Sequence, residues 1–472
     1  MKHVGKYILI TLLLLLGLCC VGVLYIFFVP NSSIFNITYV SHNKLIDSKE
    51  FTVDAVQEIK INSNRFDVVV VESETSNASL KVYDNCFGFT LVKNKEVKID
   101  AKAINQVLTF NIQEPTGAVL TNRSYIELRI PKGATNLNLS FENKKAETKI
   151  DSNINIKNLS YSTRSGNLWL DKCSISGDIN LNLTKATCTL GSGLQLDENS
   201  VILSLTSGSF DAKTHSKSLG DVTIINNEYG KISLHKCKTL RCEIPVAGGI
   251  IEGNEVSSAI VVTTDTHISI QNITNGASIK LGSGNINITT LNGETNLVTT
   301  SGNIKVDSAI SSVTATSTSG NITIHNANQK INTITDNGII LVHFLDNAET
   351  KELISTINAN GKINADGIHK AEILISKNGR ANLVFSDIIG KSEILGNSGD
   401  VSVKVNTESR YQLETFTSSG DVKVNLAQIA NFNGYTDKDP EPIQVNGFVG
   451  DSNYLYVKTN SGNLTVLDSL FY

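Results

Sequence analysis

The sequence predicts an all-β fold, a β-solenoid or parallel β-helix with a β-rich N-terminal cap, preceded by one transmembrane helix. Three observations predict it: a glycine-centred phrase recurs at a fixed interval, apolar residues alternate after each glycine, and one long stretch near the N-terminus carries no charge. The phrase Ser-Gly-Asn-Ile begins at Ser283 and again at Ser301. Its glycine recurs every 18 residues, at Gly284, Gly302, Gly320 and Gly338. Such a short period is typical of stacked repeats.

Each of these glycines is followed by apolar residues at alternate positions, as in Ile286 and Ile288. That period of two indicates a strand with one buried face. We expect the glycine to supply a positive φ angle at a corner, and the Asn or Asp that follows it to act as a turn residue. The phrase continues at looser intervals, at Gly361, Gly379, Gly399, Gly420 and Gly462.

A unit of about 20 residues with two short strands cannot bury its own apolar face, so the copies must stack on one another. An up-and-down barrel or a sandwich is the alternative, because short strands with frequent turns suit those folds too. The constant phase of the glycine favours the solenoid, since a barrel does not need the same corner residue every 18 positions. Residues 151–472 are therefore predicted to form the β-solenoid repeat domain.

The N-terminal region reads as a membrane anchor. Residues 8–29 form an uncharged, apolar stretch that would span about 33 Å as a helix, against a hydrocarbon core of about 30 Å. A cleaved signal peptide has a shorter apolar region and a small-x-small exit, which this stretch lacks. Lys2 and Lys6 precede it, so residues 1–7 are predicted to be a short cytoplasmic tail and the bulk of the chain to be extracytoplasmic. Residues 30–49 then form a linker.

The segment of residues 50–150 lacks the strict glycine phase but still reads as strands. "RFDVVVV" (residues 65–71) resembles a degenerate repeat phrase, and another strand ends at Pro131, where proline is tolerated. We predict a β-rich N-terminal cap, because an uncapped solenoid end would offer open strand edges for aggregation.

A strand that ends in Ile-Pro-Lys-Gly (residues 130–133), followed by serial Ser-Gly-Asp/Asn-Ile/Val phrases, resembles the "putative adhesin" family of uncharacterised β-repeat proteins. The phrases at Ser176, Ser301, Ser398 and Ser419 match best, and the resemblance covers residues 50–472. It implies a β-repeat fold and a role at the cell surface. The chain departs from the pattern by its length and by phase breaks near residues 248–259 and 431–451.

Composition narrows the choice of partners. The formal net charge of −4 is too small to imply a strongly charged partner, and no basic run indicates nucleic acid. The sequence contains no nucleophile elbow, zinc-protease motif, phosphate loop or Cys-x-x-Cys motif, and no cofactor is predicted. The Asp residues of the Ser-Gly-Asp phrases are not read as catalytic pairs, because Asn replaces Asp at the same corner.

The cysteines allow two interpretations, a disulfide or a set of free thiols. Five lie beyond the predicted anchor, at Cys86, Cys173, Cys188, Cys237 and Cys242, so an odd one remains after any intrachain pairing. Cys237 and Cys242 are close enough in sequence to be a possible disulfide. The alternative is a set of small buried thiols in the solenoid core.

Two further features are candidate sites. Trp169 is flanked by Leu168 and Leu170, which take the inward positions, so its side chain should point outwards and is a candidate ligand-binding residue. The 18-residue phase also places Asp307, His325 and His343 in one column, which is a candidate metal site or pH-sensitive patch. A solvated polar edge is the simpler interpretation of that column.

The sequence therefore predicts a membrane-anchored, non-enzymatic surface β-solenoid that acts in adhesion or envelope interaction. Its expected partners are the membrane, through the N-terminal helix, and a surface glycan or protein. The alternative is a polysaccharide-degrading enzyme on a β-helix scaffold, which would need acidic and basic residues clustered in a groove on adjacent coils.

Overall fold

The structure is a computed structural model, and it describes residues 11–21, 38–40, 42–89, 97–113, 118–122, 124–196, 199–244, 248–427, 429–433, 443–445 and 452–469. In these ranges almost all regular structure is β-strand, as the alternating Ile, Val and Leu residues predicted. Residues 11–21 form a helix, and a 3₁₀ turn spans Val53–Ala55.

The strands divide into three stretches along the chain. The first ten are β1 (Thr38–Val40), β2 (Lys44–Phe51), β3 (Glu58–Ser63), β4 (Asp67–Ser73), β5 (Ala78–Asp84), β6 (Cys86–Phe89), β7 (Lys98–Ile104), β8 (Val107–Gln113), β9 (Ala118–Asn122) and β10 (Tyr125–Pro131). The next are β11 (Asn138–Asn143), β12 (Thr148–Asp151), β13 (Asn155–Ile156), β14 (Leu159–Thr163), β15 (Leu168–Asp171), β16 (Ser174–Ile175), β17 (Ile179–Thr184), β18 (Thr187–Leu190), β19 (Gln195–Leu196), β20 (Val201–Thr206), β21 (Ser209–Ala212), β22 (Leu219–Glu228), β23 (Lys231–Glu243) and β24 (Ile250–Thr263).

The remaining strands are β25 (His267–Ile273), β26 (Ala277–Leu281), β27 (Ile286–Leu291), β28 (Thr295–Thr299), β29 (Ile304–Ala309), β30 (Val313–Ser317), β31 (Ile322–Ala327), β32 (Ile331–Thr335), β33 (Ile339–Phe344), β34 (Glu352–Ile357), β35 (Lys362–Ile368), β36 (Lys370–Ile375), β37 (Arg380–Phe385), β38 (Lys391–Gly396), β39 (Val401–Asn406), β40 (Tyr411–Thr417), β41 (Val422–Leu426), β42 (Ile429–Asn433), β43 (Ile443–Val445), β44 (Tyr454–Thr459) and β45 (Leu464–Ser469).

Two long parallel ladders make up the solenoid, which confirms the all-β solenoid part of the predicted fold class. Each coil gives one strand to each ladder, and the phrase glycine lies at the corner between them. The first ladder runs through β8, β3, β11, β14, β17, β20, β22, β23, β24, β26, β28, β30, β32, β34, β36, β38, β44 and β40. The second runs through β10, β4, β12, β15, β18, β21, β23, β24, β25, β27, β29, β31, β33, β35, β37, β39, β45 and β41.

Inward side chains stack in columns that form the core. On the second ladder one column consists of Ile286, Ile304, Ile322, Ile340, Ile363, Ala381, Val401, Leu464 and Val422, all buried. Because each coil stacks on the next, inward columns such as this one are apolar along their length, while a column beside the glycine corner carries buried hydroxyl groups such as those of Thr299, Ser317 and Thr335.

The phrase glycines do not have the positive φ angle that the sequence predicted. The described glycines with positive φ are others, such as Gly276 and Gly293. A Cβ at Gly320 would instead overlap the carbonyl oxygen of Gly302 on the preceding coil, and a Cβ at Gly338 would overlap that of Gly320. Glycine is required because backbones of successive coils approach closely at this corner.

The residues around the glycine satisfy the polar groups of that corner. Ser317, which is fully buried, accepts the N–H of Gly320 at 2.9 Å and donates to the carbonyl of Gly302 at 3.0 Å. The Asn after the glycine acts on the next coil, because Asn303 Oδ1 accepts the backbone N–H of Asn321 at 2.8 Å. Asn and Asp recur there as acceptors for a neighbouring coil, which corrects the turn role expected from sequence.

At each end of the solenoid the spatial order of coils departs from the chain order. The coil of β3 and β4 lies between the β8/β10 coil and the β11/β12 coil. The coil of β44 and β45 likewise lies between the β38/β39 coil and the β40/β41 coil. Antiparallel strands then cover the outermost edges, with β5 on β10 and β7 on β8 at one end, and β43 on β40 and β42 on β41 at the other.

The N-terminal region agrees only in part with the prediction. Within the described residues no helix is both long enough and apolar enough to cross a membrane. The helix at residues 11–21 covers about 16 Å, and the remainder of the predicted anchor, residues 8–10 and 22–29, lies outside the described residues. Part of the predicted linker is ordered, since β2 pairs with β5.

The inward and outward faces of one strand can be compared directly by substitution. Ile322 is fully buried, whereas Thr323 points away from the core and is half-buried. We expect Ile322→Asp to destabilise the fold by several kcal/mol, because it buries an unpaired carboxylate, and Thr323→Asp to change stability by about 0.5 kcal/mol or less. Thermal melting of the two variants checks this, and equal shifts would contradict the face assignment.

The close approach of stacked backbones at the glycine corner leads to a second prediction. Gly320→Ala should destabilise by about 1–3 kcal/mol, because the added methyl group forces stacked backbones apart. Gly133→Ala is the matched control: nothing lies within 4 Å of a Cβ there, so its effect should be within about 0.5 kcal/mol. Urea denaturation of both variants measures the difference, and a harmless Gly320→Ala would rule out the backbone-contact explanation.

Candidate functional site

The most distinctive outward surface lies on the first ladder near the C-terminal end of the solenoid. Its outward residues repeat at an interval of 21 along the chain: Glu372, Glu393 and Glu414 in one position, and Leu374, Leu395 and Phe416 two residues further on. The last coil adds Tyr454, Tyr456 and Lys458. We call the surface formed by these nine residues the glutamate–tyrosine face.

Strand register brings eight of the nine residues of this face together in two parallel columns, and Tyr454 lies beside them on the same strand as Tyr456. Glu372 lies opposite Glu393, Glu393 opposite Tyr456, and Tyr456 opposite Glu414. The second column holds Leu374, Leu395, Lys458 and Phe416 in the same order. Neighbours in a column are about 4.8 Å apart along the solenoid, so the face extends over four coils.

Tyrosines and carboxylates interact directly on this face. The hydroxyl of Tyr454 donates to the carboxylate of Glu414. Burial, together with that bond and the negative charge of Glu414, raises the pKa of Tyr454. Burial and the charges of Glu414 and Glu393 raise the pKa of Tyr456 in the same direction. Both phenols therefore remain protonated near neutral pH and can donate hydrogen bonds.

Positive charge is unevenly distributed over the face. Lys370 bonds Glu352 at 3.1 Å and approaches Glu372 at 3.6 Å, so the first glutamate has a cationic neighbour. The ammonium group of Lys458 lies 5.2 Å from the centre of the Phe416 ring. Among the described residues no cationic side chain forms an ion pair with Glu393 or Glu414. Glu393 is therefore an acceptor open to a ligand, and Glu414, which accepts a hydrogen bond from Tyr454, keeps further acceptor positions.

Such a surface can bind a ligand that carries both hydrogen-bond donors and apolar faces. The carboxylates and phenol oxygens accept or donate hydrogen bonds, while the leucine and aromatic side chains offer flat apolar contact. A sugar ring has both properties, and so does a peptide segment with basic and apolar residues. Sequence reasoning missed this face, although the repeated Glu-x-Leu/Phe spacing of 21 residues was a signal that could have found it.

Trp169 lies on the second ladder, on the outside of the solenoid, as the alternation around it predicted. Its side chain is 42% exposed, while Leu168 and Leu170 are buried. Its neighbours in the outward column are Lys149 and Thr189. It is distant in the coil order from the glutamate–tyrosine face, and its role in ligand binding remains a prediction.

The predicted histidine column is interrupted, and its members take other partners. The register of β29 and β31 brings Asp307 and His325 onto neighbouring coils, but the register of β31 and β33 shifts between Ile324 and Ala327, where His325 lies. Asp307 forms an ion pair with Lys305 at 2.9 Å, and His343 bonds the carboxylate of Asp366 on the following coil. In the parts of the chain that the structure describes, no three histidine, cysteine or acidic residues cluster closely enough to hold a metal ion.

The prediction of a possible disulfide between Cys237 and Cys242 is wrong. Both thiols are free and buried, and both lie on β23, where five extended residues separate their Cα atoms by about 16 Å. A disulfide requires Cα atoms less than about 7 Å apart. Burial raises the pKa of each thiol to about 12. Cys173 and Cys188 are also free and buried, while the side chain of Cys86 lies outside the described residues.

Several solved structures are similar to this chain. A structure described as a "putative cell adhesion protein" from Clostridium sporogenes is 9% identical, covers 90% of this chain and 100% of its own, and has a TM-score of 0.16. One described as a "putative adhesin" from Bacteroides fragilis is 13% identical, with coverages of 72% and 96% and a TM-score of 0.18. One from Parabacteroides merdae, also described as a "putative adhesin", is 14% identical, with coverages of 72% and 98% and a TM-score of 0.18.

No curated protein matches the sequence significantly. The sequence profile of one family matches residues 56–338, which is more than half of the chain. This match agrees with the resemblance drawn from the repeated glycine phrases, and it spans the first coils as well as the region of strict 18-residue phase. The chain belongs to the Toastrack DUF4097 family.

Proposed function

We propose that this protein is a membrane-anchored, non-enzymatic surface protein that binds a glycan or protein of its surroundings through the glutamate–tyrosine face. The observation that carries the proposal is the column in which Tyr456 lies between two carboxylates that form no ion pair among the described residues, beside a parallel column of Leu395, Lys458 and Phe416. Adhesion or envelope interaction is also the role implied by the family resemblance.

The solenoid architecture supports a presenting role. Most coils stack in one register, so the outward side chains of a ladder form a continuous surface whose shape does not depend on a flexible loop. A surface built in this way lets a polymeric ligand contact several coils at once. Multiple weak contacts along one polymer then add to a useful avidity.

A polysaccharide-degrading enzyme on the same scaffold is the alternative. Glu393 and Glu414 are two coil steps apart, about 10 Å along the solenoid, which is near the upper limit for the paired carboxylates of an inverting glycosidase. Such an enzyme would also have to enclose the sugar in a cleft, whereas these residues stand on the outer surface of a sheet. Binding without cleavage therefore fits this face better.

Binding can be tested on a glycan array and with immobilised surface proteins. We expect Tyr456→Ala to weaken binding by about tenfold or more, because it removes the aromatic centre of the face. Tyr229→Ala is the matched control, since Tyr229 is 73% exposed but belongs to a distant coil. Trp169→Ala tests the other candidate. Loss of binding with Trp169→Ala alone would place the binding surface there, and release of reducing sugars from a bound glycan would favour the enzyme.

The membrane anchor is tested separately. The uncharged stretch of residues 8–29, with Lys2 and Lys6 before it, supports retention in the membrane with the solenoid outside. Protease added to intact cells should then digest the solenoid and leave a small membrane-bound fragment. A cytoplasmic protein in the same cells is the control for leakage. Complete protection of the chain in intact cells, with solubility after lysis, would exclude the anchor.

A further inference from the structure

The last coil of the chain occupies a slot that lies between two earlier coils. β44 and β45 pair on one side with β38 and β39, and on the other with β40 and β41. The described part of the β40/β41 coil has no parallel partner except this inserted coil. The inserted coil supplies four buried apolar side chains to the core, Leu455, Val457, Leu464 and Val466.

The two walls of the slot are chemically alike at the glycine corner. Gly462 lies against the carbonyl of Gly399, and Gly420 lies against that of Gly462. Asn463 N–H bonds Asp400 Oδ1 at 3.1 Å, and Asp421 N–H bonds Asn463 Oδ1 at the same distance. The inserted coil is therefore held by the general contacts of the repeat, with nothing that requires it to come from the same chain.

The core columns that cross the slot point to the same conclusion. Val401 meets Leu464, which meets Val422, and Val403 meets Val466, which meets Val424. If the inserted coil left, Val401 could stack on Val422 without loss of apolar contact inside the core. The outer face opposes this closure, because Glu393 already lies opposite Glu372, and closure would add Glu414 on its other side, so that three carboxylates would follow one another with Lys370 near only the first. The empty slot would therefore favour another coil over collapse.

The connection to the inserted coil has 27 residues, 427–453, and contains β42 and β43, which pair with β41 and β40. With β43 paired, residues 446–453 join it to β44, so the coil stays near its own slot at an effective concentration of about a millimolar. At comparable local concentrations of chains, such as those of a protein tethered to a surface, a coil from a second copy can compete for the slot.

We propose that residues 452–469 are an exchangeable coil, and that two copies of this protein associate by each inserting its last coil between the β38/β39 and β40/β41 coils of the other. Exchange replaces each intrachain contact with the same contact between chains, so the assembly is symmetric and closed. The proposal concerns self-association and does not depend on the ligand of the glutamate–tyrosine face.

A disulfide between chains can detect the exchange. Ser402 and Thr465 are outward neighbours on β39 and β45, at a spacing suited to a disulfide. Two sets of full-length, differently tagged chains are prepared, one with Ser402→Cys and one with Thr465→Cys. Both sets have Cys19, Cys20 and Cys86 replaced by serine. The two sets are unfolded, mixed, refolded together and then oxidised. We expect a disulfide-linked dimer that contains one chain of each kind, and its yield should rise roughly in proportion to the chain concentration during refolding.

Two controls make the result decisive. Lys305→Cys and Thr323→Cys chains, mixed in the same way, place their cysteines on consecutive internal coils and should give no cross-linked pair above background. A single chain with both Ser402→Cys and Thr465→Cys should close its own disulfide at low concentration. If the mixture of Ser402→Cys and Thr465→Cys chains gives no more mixed dimer than the mixture of Lys305→Cys and Thr323→Cys chains at any concentration, exchange is excluded. Failure of the double variant to close would overturn the register on which the proposal rests.

Discussion

The close contact between backbones at the glycine corner is the constraint on which the rest of this structure depends. At Gly302, Gly320 and Gly338 each glycine lies against the carbonyl of the equivalent glycine one coil earlier, so no side chain fits there. A buried Ser or Thr hydroxyl three residues before the glycine bonds both coils, as Ser317 does. These contacts fix the axial position of each coil, and the strict register of both ladders follows from them.

Strict register explains both the stability of the core and the form of the outer surface. An inward position repeats as a column of apolar residues or, beside the glycine corner, of buried Ser and Thr, whereas an outward position repeats as a column of whatever residues function allows. The sequence is therefore free to vary outside the solenoid without changing its fold. Trp169, the histidine column and the glutamate–tyrosine face are all outward columns of this kind, and they differ only in which coils carry which side chains.

Much of this architecture could be predicted from the sequence, because local repetition encodes it. The spacing of Gly284 and its successors, with alternating Ile and Val, correctly predicted strands, buried positions and stacking. The reason for the glycine could not be predicted, since a corner that needs positive φ and a corner that needs backbone contact select the same residue. The partner of His343 also escaped prediction, because the coil that follows it is five residues longer than the 18-residue phase and brings Asp366 into register.

The spatial order of the coils could not be predicted from the sequence, and the reason is physical. Because the contacts at every corner are equivalent, the sequence phase allows the β40/β41 coil to follow β39 directly and does not reveal that β44 and β45 come between them. The outer face distinguishes the two arrangements: direct stacking places Glu393 beside Glu414, whereas the inserted coil separates them with Tyr456 and gives Glu414 a hydrogen bond from Tyr454. Charge on the surface therefore favours the inserted arrangement over direct stacking, and the same insertion completes the face we propose as the binding site.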